Sequence, residues 1–229
     1  MLAMLYDIHG NRLALDAVLD DARAAGADRF LLGGDYAAFG AWPSDCVDRL
    51  RGLGDAATWI RGNWERWLGD PGAAPDTPVI QGAAAAAARA LGEPAVRELA
   101  ALPASVELDG TLFCHASPQS DVDSFSREAG EDDDQLLHGV TASRVVFGHT
   151  HVQFRRRSAG GIELINPGSV GLPWDGDTRA AYALLDDAGE VHLRRTDYDV
   201  EAAAAALDAL AEPWASTTAQ RLRSAAFDV

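Results

Sequence analysis

The sequence predicts an α/β fold in which two β-sheets face each other and helices lie outside. Three observations carry this. The first hundred residues alternate short apolar runs with helical stretches, as successive βαβ units do. Asp7, Asp35 and Asn63 each follow such a run, at spacings of 28 and again 28 residues, close to the roughly 30 residues of one βαβ unit. After Pro103 the pattern changes to paired short strands separated by turn sequences.

Residues 2–6 read as a first strand. In the helix predicted over 13–25, Leu15, Val18, Leu19 and Ala22 share one face. Residues 30–32 form a short apolar run ended by Gly33-Gly34, and Pro43 suits the first turn of a helix over 43–53. A third strand over 58–60 ends at Gly62. Parallel pairing of these strands would bring Asp7, Asp35 and Asn63 to one sheet edge, where open α/β sheets bind ligands. The alanine-rich middle (83–88) and the stretch 94–101 read as helices. Asp109-Gly110 is a hairpin turn between strands 106–108 and 111–114. Strands follow at 145–147, 154–157, 162–165, 181–185 and 191–195, and Asp199 is set to cap a helix through Leu210. The segment 128–134, with five acids in seven residues, reads as a solvated loop or helix start. No repeat or linker divides the chain, so one domain over 1–229 is expected.

Composition narrows the function. Lys plus Arg number 19 against 35 Asp plus Glu, a net charge of -16, which argues against duplex nucleic acid as a partner. Cys46 and Cys114 share no motif, so no disulfide framework is indicated and a reducing cytoplasmic location is expected. The apolar start is too short for a signal peptide or a membrane span. Trp42, Trp67, Trp174 and Trp214, if exposed, would mark the interface of a homo-oligomer.

Chemistry concentrates in five clusters: Asp7-Ile8-His9-Gly10-Asn11, Gly34-Asp35, Gly62-Asn63, His115, and Gly148-His149-Thr150-His151. Singly, each has an ordinary reading as a cap, a turn or a core histidine. Together they place four of six histidines at ends of predicted strands. His138 and His192 lack that context and read as surface or structural. Carboxylate and amide oxygens mixed with imidazole suit Mn, Fe, Ni or Zn. A small phosphorylated substrate held directly by such ions is compatible with the acidic charge.

The order Asp-x-His, Gly-Asp, Gly-Asn, His, Gly-His-x-His resembles that of the calcineurin-like metallophosphoesterases, from residue 4 to about residue 173. The loop Asn166-Pro167-Gly168-Ser169-Val170-Gly171 is similar to that of the small YfcE-like phosphodiesterase branch. The resemblance implies a four-layer α-β-β-α sandwich of two mixed sheets and two divalent metal ions. Asp7, His9, Asp35 and His151 would hold one ion, and Asp35, Asn63, His115 and His149 the other, with Asp35 bridging. It also implies a phosphoesterase acting on a small diester or monoester through a hydroxide shared by the ions, with Asp35, Asn63 and His149 at the catalytic core. A protein phosphatase, a dinucleoside polyphosphate hydrolase, or a non-catalytic metal-binding scaffold on the same fold are the alternatives.

Two positions depart from the family pattern. Trp64 stands where a His usually follows Gly-Asn, and an indole cannot donate a proton as a general acid. Tyr6 stands where Ser is usual. Asn11 and Arg61 are the candidate substrate contacts, with Arg66 behind them and a helix cap as the competing role for Asn11. Arg155, Arg156 and Arg157 read as a solvated strand. The loop from Asn166 to Gly171 is expected to border the site, either shaping the pocket or bracing the His149 turn.

Overall fold

A computed structural model describes residues 1–228 of the chain. Its first half runs β1 (Leu2–Leu5), α1 (Arg12–Ala24), β2 (Arg29–Leu32), α2 (Pro43–Arg51) and β3 (Ala57–Trp59). Then come α3 (Asn63–Gly69), α4 (Pro78–Ala100), β4 (Ser105–Leu108), β5 (Thr111–Cys114), α5 (Asp133–Leu136), β6 (Arg144–Val146), β7 (Phe154–Arg157) and β8 (Glu163–Asn166). The chain closes with β9 (Ala180–Leu185), β10 (Val191–Thr196), α6 (Val200–Asp208) and α7 (Pro213–Ser224).

One sheet has the order β10-β9-β1-β2-β3, the other β4-β5-β6-β8-β7. In the first, β1, β2 and β3 are parallel, as the spacing predicts, and β9 and β10 join antiparallel. In the second, β5, β6 and β8 are parallel. Along β1, alternate residues serve two cores, because β-strand side chains point to opposite faces. Ala3 and Leu5 pack under α1 and α2, while Leu2, Met4 and Tyr6 meet Phe113, Val146 and Ile165 of the opposite sheet. This is the four-layer sandwich. Its outer layer over the second sheet is thin, built from α5 and the loops around Phe125 and Leu137. A separate apolar cluster unites α3, α4, α6 and α7 into a helical cap beside the strand ends. No helix among the described residues is long and apolar enough to cross a membrane.

Local chemistry explains most boundaries. Asn11 caps α1 by accepting the Ala14 N–H, and Pro43 opens α2. Helix α4 is kinked at Gly92, which has φ of 74°, and Pro94 restarts it, as the separate stretch at 94–101 anticipates. Tyr6 fills the space between the sheets and donates its hydroxyl to the Val146 carbonyl at 3.1 Å.

Strand β7 is solvated as expected, with Arg155 and Arg157 exposed and Arg156 between them half-buried. Arg156 turns inward to Asp133 of the outer layer through two hydrogen bonds (2.6 and 2.8 Å), and Arg155 binds Glu163. One expectation needs correction: the tryptophans do not form an exposed patch. Trp67 and Trp214 are buried, and Trp42 and Trp174 are half-buried, because the helical cap closes over them.

Glu163 carries a measurable pH effect. Its buried carboxylate accepts from Arg144 and Arg155, both at 2.6 Å. Burial raises its pKa, but the hydrogen bonds and charges of the two arginines outweigh that and hold it below the ordinary value of 4.5. A depressed carboxylate stabilises the fold above its unfolded pKa, and that contribution fades as pH falls through the folded value. Glu163→Gln is therefore expected to cost about 1–3 kcal/mol near neutral pH. Thermal unfolding from pH 7 to 3 should show the gap from wild type closing at the acid end.

Candidate metal centre

Parallel strands gather the site. Asp7, Asp35 and Asn63 follow the carboxyl ends of β1, β2 and β3, while His115 and the Gly148–His151 turn follow β5 and β6. Both sheets thus present their carboxyl ends to one cleft. The backbone there is unusual: Asp7, His9, Asp35, His149 and His151 have φ of 55°, 48°, 59°, 66° and 58°. The left-handed region is sparsely populated by non-glycine residues and persists only where the surroundings enforce it. Here Gly34 and Gly62 allow the loops to touch: a Cβ at Gly34 would meet the Gly62 backbone, and one at Gly62 would meet Asp35 Oδ1.

Cross-bonds fix the loops. His9 N donates to Asp35 O (2.9 Å), and Gly148 N to His115 O (2.7 Å). Glu65 is wholly buried and accepts the N–H groups of Asp35, Tyr36 and Gly62 at 2.8, 2.9 and 2.8 Å, locking the second turn to the start of α3. The loop after β8 acts as a brace. Asn166 donates to Gly148 O and Thr150 Oγ1, both at 2.9 Å, while Ser169 Oγ and Gly171 N donate to Asp7 O. Asn166→Ala is expected to lower thermal stability and loosen the His149 turn, with KM unchanged. A raised KM at unchanged stability would point instead to a substrate contact.

The side chains at the centre are acceptors facing acceptors. His9 donates from Nδ1 to Ala38 O (3.0 Å), His115 from Nδ1 to Gly33 O (2.8 Å) and His151 from Nδ1 to Leu172 O (2.5 Å). A carbonyl only accepts, so each Nδ1 carries a proton, and in the neutral ring that can ligate each Nε2 keeps a bare lone pair. Yet His9 Nε2 lies 3.1 Å from His151 Nε2. His115 Nε2 lies 3.0 Å from Asn63 Oδ1 and 3.2 Å from Asp35 Oδ2. Asp7 Oδ1 is buried with no hydrogen-bond partner, 3.6 Å from His151 Nε2. Converging lone pairs repel unless a cation sits among them, so this donor set fits divalent metal.

Two groups form. Asp7, His9 and His151 offer ligand atoms within 4.8 Å of one another, and so do Asp35, His115 and His149. Asn63 Oδ1 joins the second group, 3.0 Å from His149 Nδ1. Asp35 Oδ1 accepts the Trp64 N–H, leaving Oδ2 between the groups, 3.2 Å from His115 Nε2 and 3.8 Å from His9 Nε2.

Proton affinities follow from burial and this crowding. Burial pushes His9 and His151 down, and burial with the charge of His115 takes His149 to about 4, so all three favour the neutral form that can ligate. Burial also opposes charge on His115, but Asp35 and Asp7 outweigh it and hold His115 up at about 10, so without metal its Nε2 keeps a proton toward Asp35 that a bound cation would displace. Burial raises Asp7, aided by the charge of Asp35. Asp35 resists burial and stays low because His115, His9 and His149 face it. Burial and Asp35 push Glu65 up to about 7 against its three N–H donors.

All seven expected ligands therefore meet in one place. Asn11 does not face the cleft with free donors: its Oδ1 caps α1, and its Nδ2 donates to Gly171 O and Tyr198 Oη. The geometry gives it the capping role. Arg61 and Arg66 line a different hollow behind His115, and Arg66 is tied to Asp121 by two 2.6 Å bonds. Exposed His192 pairs with Asp186, and His138 is exposed. Three contributors were not anticipated. Glu65 had a signal, an acid three residues after the helix-capping Gly62. Phe39 and Trp174, which pack on His9 and His151, gave none.

Comparison with known proteins shows the family and the fold. Residues 1–189 match the calcineurin-like phosphoesterase superfamily domain, and the chain belongs to that superfamily. An uncharacterised protein of Methanocaldococcus jannaschii is 29% identical over 225 residues, covering 89% of this chain and 90% of its own length. The crystal structure of a metallophosphoesterase from Sphaerobacter thermophilus superposes with a TM-score of 0.83 at 24% identity, covering 98% of this chain and 99% of that one. The E. coli phosphoesterase YfcE shares the fold at a TM-score of 0.52 and 20% identity, over 86% of this chain and 99% of its own.

Proposed function

We propose that the chain is a binuclear metal-dependent phosphoesterase that hydrolyses a small phosphodiester or phosphomonoester. The observation that carries the reading is the cage of facing acceptors, with Asp35 Oδ2 between its two halves. Bound divalent ions supply Lewis acidity to phosphoryl oxygens and make water more acidic. Asp7, His9, Asp35 and His151 hold one position, and Asp35, Asn63, His115 and His149 the other. Asp35, Asn63 and His149 also line the open cavity, so they meet the phosphoryl group as it arrives. Buried thiols at Cys46 and Cys114, with no disulfide, support a cytoplasmic setting. Mn, Fe, Ni and Zn all suit the donors.

Two measurements test the reading. Metal analysis after loading with manganese should give close to two ions per chain, and a single ion at saturation would sink the binuclear site. Hydrolysis should then be assayed with phosphomonoesters, diesters and nucleotides under each metal; a chain that binds two ions and hydrolyses none is a scaffold. Trp64 sets a further expectation. It lines the cavity but brings no proton to a leaving oxygen. General acid catalysis is typically worth about 10²–10⁴-fold, so kcat/KM should fall steeply as the leaving-group pKa rises. A flat dependence with chemistry rate-limiting would mean that another residue protonates it.

A further inference from the structure

Beside the metal cage lies a cavity of about 510 Å³. Its floor is five of the seven ligand residues, and its walls are strongly apolar. Phe39 and Trp64 meet edge to face at 4.7 Å between centroids, and Trp64 meets Trp67 likewise at 5.1 Å. Across from them stand Ile80 at the start of α4 and Trp174. Arg221 of α7 is the one arginine or lysine among the described residues lining this space. Its guanidinium carbon lies 4.1 Å from the Phe227 ring centroid and 6.0 Å from that of Trp174.

A phosphoryl group needs only the floor. A sugar or glycerol ester would leave these walls unused and would bury hydroxyls without partners. Apolar area alone would suit alkyl and aryl groups equally. A wall rich in aromatic rings offers a planar ring the stacked or edge-to-face contacts that a saturated group cannot make. Resting on the phosphoesterase reading, we propose that the cavity selects phosphoesters whose organic group carries a planar aromatic ring system. Heteroaryl groups, nucleobases among them, share this chemistry.

The test holds the leaving group constant. Manganese-loaded protein is assayed with hexafluoroisopropyl esters, whose leaving group has no ring, of methyl-, cyclohexyl-, phenyl- and 1-naphthylphosphonic acid and of thymidine 5′-phosphate. From methyl to naphthyl, kcat/KM should rise about tenfold from buried area, with phenyl about threefold above cyclohexyl from ring contacts. Ile80→Asn should lower the naphthyl-to-methyl ratio by about threefold. A flat series, or cyclohexyl equal to phenyl, overturns the proposal while leaving the phosphoesterase intact. Thymidine matching phenyl identifies nucleobases as one source of the ring, and thymidine falling to the methyl rate confines it to simpler aryl groups. Should no ester be cleaved, the phosphoesterase reading fails and binding decides the cavity separately. Then 1-naphthylphosphonate should quench tryptophan fluorescence at lower concentration than methylphosphonate, and equal concentrations would overturn the proposal.

Discussion

Asp35→Asn should lower metal content and hydrolysis together and should also cost the metal-free protein stability, because His115, His9 and His149 lose the carboxylate that faces them. Asparagine retains an oxygen for the Trp64 N–H. It removes a buried negative charge that crowds Asp7 and Glu65. In the proposed binuclear centre it also removes the shared anion that would offset repulsion between two cations. Losing several kcal/mol of charge stabilisation is a rate loss on the order of a thousandfold. Thermal melts with and without manganese separate the two effects. Wild type should gain Tm as metal is added, since a ligand that binds only the folded state stabilises it. The variant should gain little. A variant that keeps both ions and its activity would refute the bridging role.

Gly171→Ala should be the most damaging single-methyl change in the molecule. A Cβ there would overlap the Ile8 carbonyl, and it would also press on Asn11 at 3.1 Å. Neither neighbour can retreat. The Ile8 carbonyl accepts the Asn11 N–H, and the Gly171 N–H holds the Asp7 carbonyl. Overpacking of this kind costs about 3 kcal/mol, or roughly 6–12 °C in Tm for a chain of this size. Because the displaced turn carries Asp7 and His9, metal affinity should fall as well. Gly189→Ala is the control, since its φ of 83° strains a side chain but no atom lies within 4 Å of the added carbon. Equal losses from the two substitutions would show that backbone strain rather than the clash dominates.

The two predictions concern parts of the molecule that were unequally legible in the sequence. Asp7, Asp35 and Asn63 could be placed at one edge because parallel strands repeat at a fixed spacing and carry their following residues to the same end. His115 and His149 could be joined to them only by analogy, since the pairing of β5 with β6 and the facing of the sheets depend on long-range contacts. Helix α3 was hidden because its cap, Gly62, has no side chain to announce it. Helix α7 was hidden behind a polar, threonine-containing stretch with only modest amphipathic order. The pairing of Arg156 with Asp133 spans 23 residues and leaves no local trace. The same holds for the aromatic wall, whose members come from four separate segments and meet only when the helical cap closes.

The left-handed backbone at five ligand positions also limits how this site can change over time. A β-branched or bulky residue at Asp7, His9, Asp35, His149 or His151 would meet a steric penalty before any question of metal arose, whereas Asn, Asp, His and Gly fit such angles most readily. Decay of the centre is thereby channelled. A descendant chain that no longer needed metal would first exchange carboxylates for amides or histidines for asparagine, keeping its turns while losing its charge. Its shape would outlast its chemistry, and relatives without activity would still carry the three left-handed turns.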